Sequence, residues 1–289
     1  MKNISFVKMS GAGNDFIMID KTQNPEIALT SIVINRLCDR RNGIGADGII
    51  IISDLDGYDF VMDYFNADGS TGTLCGNGAR CAVKFAQSTG KIMRNTANFL
   101  SNKIEYNGEL LKEDLIKFNL KPPNKIEEKI VVNAVGVKIP ASYADTGSPH
   151  VVITLDDLQS SLPDDYKFNG ELNKVPVIEI GREIRYDPAF APGGANVNFI
   201  KIVNGRILIR SYERGVEDET LACGTGSVAA AIIANIKFNV QPPASIFTKG
   251  GEELNVNFKV EKNSFTDVSL TGPAKEIYRG EVIINNLVN

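Results

Sequence analysis

Histidine and cysteine are scarce in this chain of 289 residues. It contains one histidine, His150, and its four cysteines, at positions 38, 75, 81 and 223, include no C-x-x-C pair. A structural zinc site uses about four nitrogen or sulfur ligands, usually in closely spaced pairs. The sequence therefore argues against a metal centre of this kind.

Long apolar runs and basic patches are missing as well. No run approaches the ~18 apolar residues that cross a bilayer, and the opening MKNISFVKMSGAGNDF lacks the apolar core of a signal peptide. The net charge of -4 comes without a basic cluster, which argues against nucleic acid and anionic membranes as partners. We expect a cytoplasmic protein whose cysteines are reduced thiols.

The chain has the length and composition of an ordinary globular protein, with 43% hydrophobic and 23% charged residues. It is long enough for two domains of about 145 residues each. A polar, proline-rich break at 121–124 marks the boundary, so we expect an N-terminal half, 1–121, and a C-terminal half, 122–273. The last segment, 274–289, is expected to return to the N-terminal half as a strand.

A short string beginning with cysteine occurs twice. Cys75-Gly76-Asn77-Gly78 and Cys223-Gly224-Thr225-Gly226 are each followed by alanines at +7 and +11 from the cysteine. Three further pairs of segments follow the same order along the chain and resemble each other as turn, loop or strand end. They are 13–18 with 147–152, 43–49 with 194–199, and 64–69 with 211–215. Four matched pairs in one order indicate a duplicated chain.

Short runs rich in β-branched and aromatic residues, bounded by Gly, Asp or Asn, predict strands in both halves. The two cysteine segments predict helices, the first with a stop at Gly90. The second, SVAAAIIANIKF, is apolar nearly all round and should be enclosed. We therefore predict an α/β (α+β) fold of two pseudo-symmetric halves, each a mixed or antiparallel sheet wrapped around a central helix.

A cysteine before Gly-x-Gly at a helix start is suited to chemistry on an anion. The first helical N–H groups point outward, the helix dipole adds about half a positive charge, and glycine permits close approach. Such a site binds a carboxylate and favours the thiolate of the neighbouring cysteine. With one thiolate and one thiol, a proton can leave a carbon beside that carboxylate and return with inverted configuration. The N–H groups would stabilise the enolate-like intermediate.

These motifs resemble a known family. The strings NADGS, CGNGARC and YERGVEDETLACGTGS, with KMSGAGNDFIMID, RNGIGADG, GSPH and ANVNF in the same order, are similar to diaminopimelate epimerases over nearly the whole chain. The resemblance implies interconversion of LL- and meso-diaminopimelate by two thiols, without metal or cofactor, in lysine and peptidoglycan precursor synthesis. The expected partner is this small molecule, and the fold implied is the duplicated one above.

The resemblance also implies roles for individual residues. Cys75 and Cys223 match the acid–base pair, and His150 and Ser148 match supporting positions. Substrate contacts are implied for the following residues: Asn14, Asn66, Gly76, Asn77, Asn196, Glu213, Arg214, Gly224 and Thr225. The Arg214 guanidinium suits a carboxylate and Glu213 an ammonium group at the second end of the substrate.

Two positions depart from the family pattern, and one bears on assembly. Many members have Asn where this chain has Ser148 and Gln where it has Gly48, which affects the exact polar contacts. Tyr278 resembles a position of family dimer contacts and so implies a homodimer, with a packed core tyrosine as the alternative.

Other interpretations stay open at this point. Asn14 and Asn66 also suit turns, Glu213-Arg214 also suits a solvated strand end, and Cys38 and Cys81 suit the core. Three alternative functions are consistent with the sequence: a two-cysteine racemase of another amino acid such as proline, a thiol redox sensor, and a non-catalytic anion-binding protein. Phenazine-pathway isomerases share the duplicated architecture but fit poorly, because they lack the cysteine pair.

Overall fold

The computed structural model describes residues 3–27, 29–72, 74–112, 114–166, 168–262 and 264–283. These residues form two compact units: the first extends to Asn119 and resumes at Thr271, and the second is Leu120–Leu270. The boundaries expected from sequence, at 121 and 274, lie close to these. Residues 284–289 of the expected returning segment lie outside the described residues.

The first unit is built from a mixed sheet and two helices. Its elements are β1 (Asn3–Gly11), β2 (Asn14–Asp20), α1 (Ser31–Cys38), β3 (Gly48–Ser53), β4 (Phe60–Asn66), α2 (Gly76–Ser88), β5 (Thr96–Ser101), β6 (Ile104–Leu110) and β7 (Leu115–Asn119). The pairings from β1 to β6 alternate, with β1–β2, β3–β4 and β5–β6 antiparallel and β2–β3 and β4–β5 parallel. Strand β7 pairs antiparallel with β6.

The second unit repeats this plan. Its elements are β8 (Lys125–Ala134), β9 (Val137–Asp145), β10 (Pro149–Thr154), α3 (Leu155–Ser161), α4 (Val177–Arg185), β11 (Asn196–Val203), β12 (Arg206–Glu213), β13 (Asp218–Thr220), α5 (Gly224–Phe238), β14 (Ala244–Phe247), β15 (Glu253–Glu261) and β16 (Ser264–Pro273), the last of which contains the boundary between the units. The pairings β9–β10, β11–β12 and β14–β15 are antiparallel, and β10–β11 and β12–β14 are parallel.

The same alternation of strand directions therefore occurs in both units. The matched segments of the sequence fall on corresponding elements: β2 with β10, β3 with β11, β4 with β12, and α2 with α5. The prediction of a duplicated fold with a mixed sheet around a central helix is confirmed. Strand β17 (Lys275–Ile283) adds to the first unit by pairing antiparallel with β1.

Each central helix is enclosed by strands, and alanines on its faces let those strands approach closely. Helix α2 packs against β1–β4, β6 and β7, and α5 packs against β8–β12, β14 and β15. The alanines at +7 and +11 (Ala82, Ala86, Ala230 and Ala234) are all fully buried. An alanine adds little bulk on a helix face, so the strands approach the helix closely on several sides.

The ends of the two helices agree with local sequence signals. After α2, Gly90 has φ +78°, and after α5, Asn239 has φ 55° and closes the helix in the left-handed conformation. Glycine and asparagine tolerate this region better than other residues. Among the described residues, no helix has both the length and the apolar character needed to cross a membrane.

Candidate active site

Cys75 is the N-cap residue of α2. Its backbone is extended, with φ -99° and ψ 120°, and its carbonyl accepts the first intrahelical bond from Ala79 N at 2.8 Å. The first turn, Gly76-Asn77-Gly78-Ala79, consists of uncharged residues, so the positive end of the helix dipole acts at the cysteine. A Cβ at Gly78 would lie 2.9 Å from Ile50 Cδ1, so glycine keeps this turn against β3.

Asn77 and Asn14 belong to one chain of directed hydrogen bonds. Asn77 is fully buried, and its Nδ2 donates to Asn14 Oδ1 at 2.6 Å. Asn14 Nδ2 donates in turn to Asp47 Oδ2 at 2.8 Å, and Asp47 Oδ1 accepts from Arg40 at 2.7 Å. The turn-former interpretation of Asn14 is therefore incomplete, because its amide links β2 to the helix start.

Asn66 and Gly48 lie opposite each other at the ends of β4 and β3. The Asn66 side chain donates to Ser70 Oγ at 3.0 Å across the turn that follows β4, which leaves it outside the Asn14–Asn77 chain. A Cβ at Gly48 would lie 2.7 Å from the Tyr64 ring and 2.4 Å from Phe65 O. The Tyr64 ring therefore occupies the space that a longer residue at position 48 would need.

Cys223 begins α5 in the way that Cys75 begins α2. Its backbone is extended, with φ -114° and ψ 113°, and its carbonyl accepts from Ser227 N at 2.9 Å. The first turn, Gly224-Thr225-Gly226-Ser227, is again uncharged. The Cys223 side chain is buried, and its Sγ lies 3.8 Å from Thr225 Oγ1, which is within range of a hydroxyl-to-sulfur hydrogen bond.

His150 is fully buried beside this helix start. Asn198 Nδ2 donates to His150 Nδ1 at 3.1 Å and to Val151 O at 3.1 Å, while Asn198 Oδ1 accepts from Ser211 Oγ. Because Asn198 supplies a donor, His150 Nδ1 must accept and the ring hydrogen lies on Nε2. Burial, with the nearby Arg214 charge, lowers the pKa of His150 to about 3, so the ring is neutral at physiological pH.

The His150 ring can therefore act only as a donor toward the helix. Nε2 lies 2.9 Å from Thr225 Oγ1 and 3.0 Å from Ser148 Oγ, and these two hydroxyls lie 3.2 Å apart. When Thr225 Oγ1 accepts from His150, its own hydrogen is available to Cys223 Sγ. This arrangement connects Asn198 to the sulfur through the imidazole and one hydroxyl.

Asn196, Glu213 and Arg214 lie around the end of β12. Asn196 Oδ1 accepts from Arg214 N at 2.9 Å, and its Nδ2 donates to Pro149 O at 3.0 Å, so it holds two chain segments together. Glu213 Oε1 accepts from Thr220 Oγ1. The half-buried Arg214 guanidinium forms no ion pair or hydrogen bond with any residue that the structure describes, which suits it to an external anion.

The remaining two cysteines differ from the helix caps. Cys38 lies in the apolar cluster around α1, and Cys81 is fully buried in α2. Burial raises the pKa of both thiols to about 12, so they are unreactive at neutral pH. The interpretation of both as core residues is confirmed. Within the described part of the chain, no group of three or more His, Cys, Asp or Glu is placed to hold a metal ion.

Sequence reasoning missed several participants. Asp47 accepts the last hydrogen bond of the series Asn77–Asn14–Asp47, Asn198 sets the histidine tautomer, and Thr146 Oγ1 donates to Thr225 O at 2.9 Å. Asn198 could have been predicted from the sequence, because residues two apart on a strand share a face and Asn196 was already identified as a site residue. Asp47 carried no comparable signal, since it follows a small-residue loop where aspartate is common.

Solved structures share this architecture. A hydroxyproline epimerase from Agrobacterium vitis matches with a TM-score of 0.67 at 13% identity, over 97% of this chain and 92% of that one. A phenazine biosynthesis protein of the PhzF family from Bacillus anthracis matches with a TM-score of 0.67 at 15% identity, over 98% and 100%. The chain thus shares its fold with a hydroxyproline epimerase and with a phenazine biosynthesis protein of the PhzF family.

Sequence comparison gives the family. The family model for diaminopimelate epimerase matches residues 6–124 and 142–277. A diaminopimelate epimerase from Chlorobaculum tepidum is 38% identical over 286 residues, covering 96% of this chain and 100% of the relative. The chain belongs to the diaminopimelate epimerase family, and the resemblance inferred from the motifs is confirmed.

Proposed function

We propose that this protein interconverts LL- and meso-diaminopimelate without a cofactor, and that Cys75 and Cys223 are the two catalytic groups. The observation that carries the proposal is the repeated helix start: in each unit a cysteine caps an uncharged first turn of a buried helix. Family membership, with relatives named diaminopimelate epimerase, supports the same reaction.

The proposed reaction moves one proton off Cα and one proton on. One cysteine, as thiolate, takes the α-proton, and its S–H bond forms as the C–H bond breaks. The electron pair passes to the substrate carboxylate as an enolate-like dianion. The other cysteine, as thiol, then gives its proton to the opposite face of the carbon. The two sulfurs finish with exchanged protonation states, so reaction in either direction starts from the opposite state.

The helix starts suit the charge that develops. The outward N–H groups of Gly76 and Asn77, and of Gly224 and Thr225, are placed at positive helix ends. Donors fixed before the reaction cost no reorganisation when charge accumulates on the carboxylate oxygens. We propose these four residues as the donors to the reacting carboxylate, with Asn14 positioning Asn77.

The second end of diaminopimelate carries its own carboxylate and ammonium group. Arg214, whose guanidinium has no partner among the described residues, is our proposed contact for that carboxylate, and Glu213, the neighbouring acid, for the ammonium. Asn66, Asn196, Ser148 and His150 complete the proposed polar surroundings. A small-molecule substrate and a cytoplasmic location belong to this proposal. The homodimer stays a prediction. Tyr278, the residue on which it rests, is half exposed and contacts Phe6 edge to face, with 6.0 Å between the ring centroids.

The test is hydrogen exchange at Cα. The reduced protein is incubated with LL-diaminopimelate in heavy water, and deuterium entry and meso product are followed by NMR. We expect both in the parent, and loss of epimerisation in Cys75→Ala and in Cys223→Ala. Cys38→Ala, which removes a buried thiol, is the matched control and should retain activity. Absence of exchange with thiols confirmed reduced contradicts the proposal, and exchange into proline but not diaminopimelate would favour a proline-type enzyme.

A further inference from the structure

Arg80 is a fully buried arginine in the second turn of α2. Its side chain turns back toward the start of the helix, as helical side chains generally do. Nη2 donates to Asn77 Oδ1 at 2.9 Å, and Nη1 lies 3.4 Å from Gly76 O. The guanidinium therefore lies at the first turn of the helix, where it contacts the two residues that follow Cys75.

Arg80 differs from the described cations with little exposed side chain, because no described carboxylate is paired with it. Lys8 pairs with Asp15 at 2.7 Å, Lys91 with Asp20 at 3.2 Å, and Arg210 with Glu219 at 2.6 Å. Within the described residues, Arg80 Nε has no hydrogen-bond partner at all. An unpaired buried charge is costly, so a group that compensates it is expected.

Among the described residues, two sulfur atoms, those of Cys81 and Cys75, interact with the Arg80 charge as anions would. Burial lowers the pKa of Arg80 to about 10, and Cys81 and Cys75 act on it in the opposite direction, so it is charged at neutral pH. Cys81 is fully buried with its pKa raised to about 12 and remains a thiol. Cys75 is only half buried. It is therefore the one of the two sulfurs that can become an anion beside Arg80.

The other charged groups around α2 are already engaged or exposed. On the helix and its packed strands these are Lys84 with Asp114, Lys8 with Asp15, Asp20 with Lys91, Glu109 with Lys117, Tyr58-bonded Glu105, and the exposed Asp63. Asp47 and Arg40, at the end of the asparagine chain, pair with each other. The ion pairs are neutral, and the two unpaired carboxylates, Glu105 and Asp63, are exposed to solvent, so none of these groups compensates the buried Arg80 charge.

At the position matched to Arg80 the second unit has no cation, and the charge near its helix start is the half-buried Arg214, which acts on His150. Arg80 is the fifth residue after Cys75, and the fifth residue after Cys223 is Val228, which is buried. His150, which faces that helix start through Thr225, is neutral at physiological pH because burial lowers its pKa to about 3. The duplicated sites therefore differ in electrostatics although their backbones match.

We infer that Arg80 is the buried counter-ion of the Cys75 thiolate, so that in the unliganded protein Cys75 is the thiolate and Cys223 the thiol. Arg80 acts as a positioning residue: its charge holds the ionised sulfur, and its Nη2 bond orients the Asn77 amide. The inference deepens the proposed function by assigning the resting base, and it concerns ionisation of the sulfur alone. The thiol proton goes to solvent.

The test is the pH dependence of alkylation by iodoacetamide, followed by mass spectrometry. Cys75 is measured in the Cys223→Ala protein and Cys223 in the Cys75→Ala protein. We expect the midpoint for Cys75 to lie at least one pH unit below that for Cys223. Arg80→Gln should raise the Cys75 midpoint by about one unit, which is about tenfold less thiolate at neutral pH. Arg80→Lys, which retains the charge, should restore at least half of that shift.

The matched control is Arg94→Gln, which removes an exposed arginine of the same unit that pairs with Asp59; its Cys75 midpoint should equal that of the parent. An unchanged midpoint in folded Arg80→Gln, or equal midpoints for Cys75 and Cys223, overturns the inference. If Arg80→Gln does not fold, the Arg80 Nε–Hε NMR signal of the unsubstituted protein replaces it. That signal should shift with the Cys75 midpoint, and a flat response overturns the inference.

Alkylation involves no diaminopimelate, so the outcome is separable from that of the proposed function. A protein that fails to exchange the α-hydrogen of diaminopimelate, yet shows an Arg80-dependent Cys75 midpoint, refutes the function and supports the counter-ion. A protein that epimerises diaminopimelate, but whose Cys75 midpoint does not depend on Arg80, supports the function and refutes the counter-ion.

Discussion

The amide nitrogen of Asn198 lies 3.1 Å from His150 Nδ1 and thereby decides which nitrogen of the only histidine carries the hydrogen. Because Asn198 Nδ2 also donates to Val151 O, the amide cannot be reversed without losing a backbone bond. The neutral ring is thus a donor from Nε2 toward Thr225. The protonation pattern of one side of the proposed site therefore depends on the asparagine that bonds the other nitrogen of the ring.

Replacing that donor by an acceptor should move the hydrogen. In Asn198→Asp a carboxylate faces Nδ1, so we expect the ring to carry hydrogen on Nδ1, its pKa to rise, and turnover to fall by roughly tenfold, or about 1.4 kcal/mol. The chain has one histidine, so its ¹⁵N signals report this without ambiguity. Asn133→Asp, the same substitution at an exposed position of β8, is the control. Unchanged ¹⁵N shifts in Asn198→Asp would contradict the assignment.

The buried neutral histidine should also make stability depend on pH. Its folded pKa of about 3 lies below the ordinary value of about 6.5, so below about pH 6.5 the unfolded chain binds a proton that the folded chain does not. The contribution is fully present above that pH and is lost progressively toward pH 3, at up to about 1.4 kcal/mol per pH unit. In urea titrations between pH 7 and 4, the parent should lose more unfolding free energy than His150→Gln; parallel curves would disprove this.

The duplication could be read from the sequence because it rests on local requirements. Alanines at +7 and +11 are fixed by strands that pack against the helix, and turn residues before β2 and β10 are fixed by backbone conformation, as at Gly13 with φ 105° and Gly147 with φ 100°. Strands β6 and β8 gave weaker signals, because charged and apolar residues mix along them and many are exposed. Their place depends on pairing with distant strands.

The residue types of the site could be predicted from the sequence, but the contacts among those residues could not. Cys75, Cys223 and the glycines that follow them predict helix starts that bind an anion. The role of Arg80 depends on the burial of its side chain, which no local sequence pattern indicates. Arginine is seldom fully buried without a carboxylate partner, and the sequence places an ordinary helix former at that position. The departure at Gly48 is likewise explained by the Phe65 carbonyl and the Tyr64 ring, both of which belong to the neighbouring strand β4.

Tyr64 also packs on a second glycine, and this contact gives a test of packing in the first unit. A Cβ at Gly72 would overlap two atoms of the Tyr64 ring and lie 3.2 Å from a third. Gly72→Ala should therefore destabilise the protein by about 1–3 kcal/mol. Tyr64→Leu should relieve part of this cost, giving a favourable coupling in a double-mutant cycle by urea unfolding.

The control for that cycle is Gly108→Ala. Its Cβ would meet Val83 at 2.6 Å and not Tyr64, so its cost should be unaffected by Tyr64→Leu. Additive costs for Gly72→Ala and Tyr64→Leu would show that the ring is not what excludes a side chain at position 72.

The four cysteines should differ widely in reactivity. Cys75 is half buried, while Cys38 and Cys81 are buried with pKa values raised to about 12. At pH 8, iodoacetamide should modify Cys75 at least about a hundredfold faster than these two, because reaction needs an accessible thiolate. Peptide mass spectrometry measures the rates, and protein unfolded in urea, where all four should react alike, is the control. Modification of Cys38 or Cys81 at the Cys75 rate would contradict the structure.

The guanidinium of Arg214 should determine whether a second carboxylate is required in the substrate. Lysine is diaminopimelate without that carboxylate, so comparison of the two isolates the contact. We expect Arg214→Gln to reduce kcat/KM for diaminopimelate by about 1.5–3 kcal/mol, the range for hydrogen bonds to charged groups, mainly through KM. The much slower α-hydrogen exchange of lysine should be unchanged by the substitution.

Arg206→Gln is the matched control, because Arg206 begins the same strand, β12, and is exposed; it should leave both substrates unaffected. A second measurement checks that Arg214 is present where the structure puts it. Its positive charge contributes to the lowered pKa of His150, so Arg214→Gln should raise that pKa, as followed by the histidine ¹⁵N signals. Equal losses on diaminopimelate and lysine, with the histidine pKa raised, would show that Arg214 acts on the shared amino-acid end and not on the distal carboxylate.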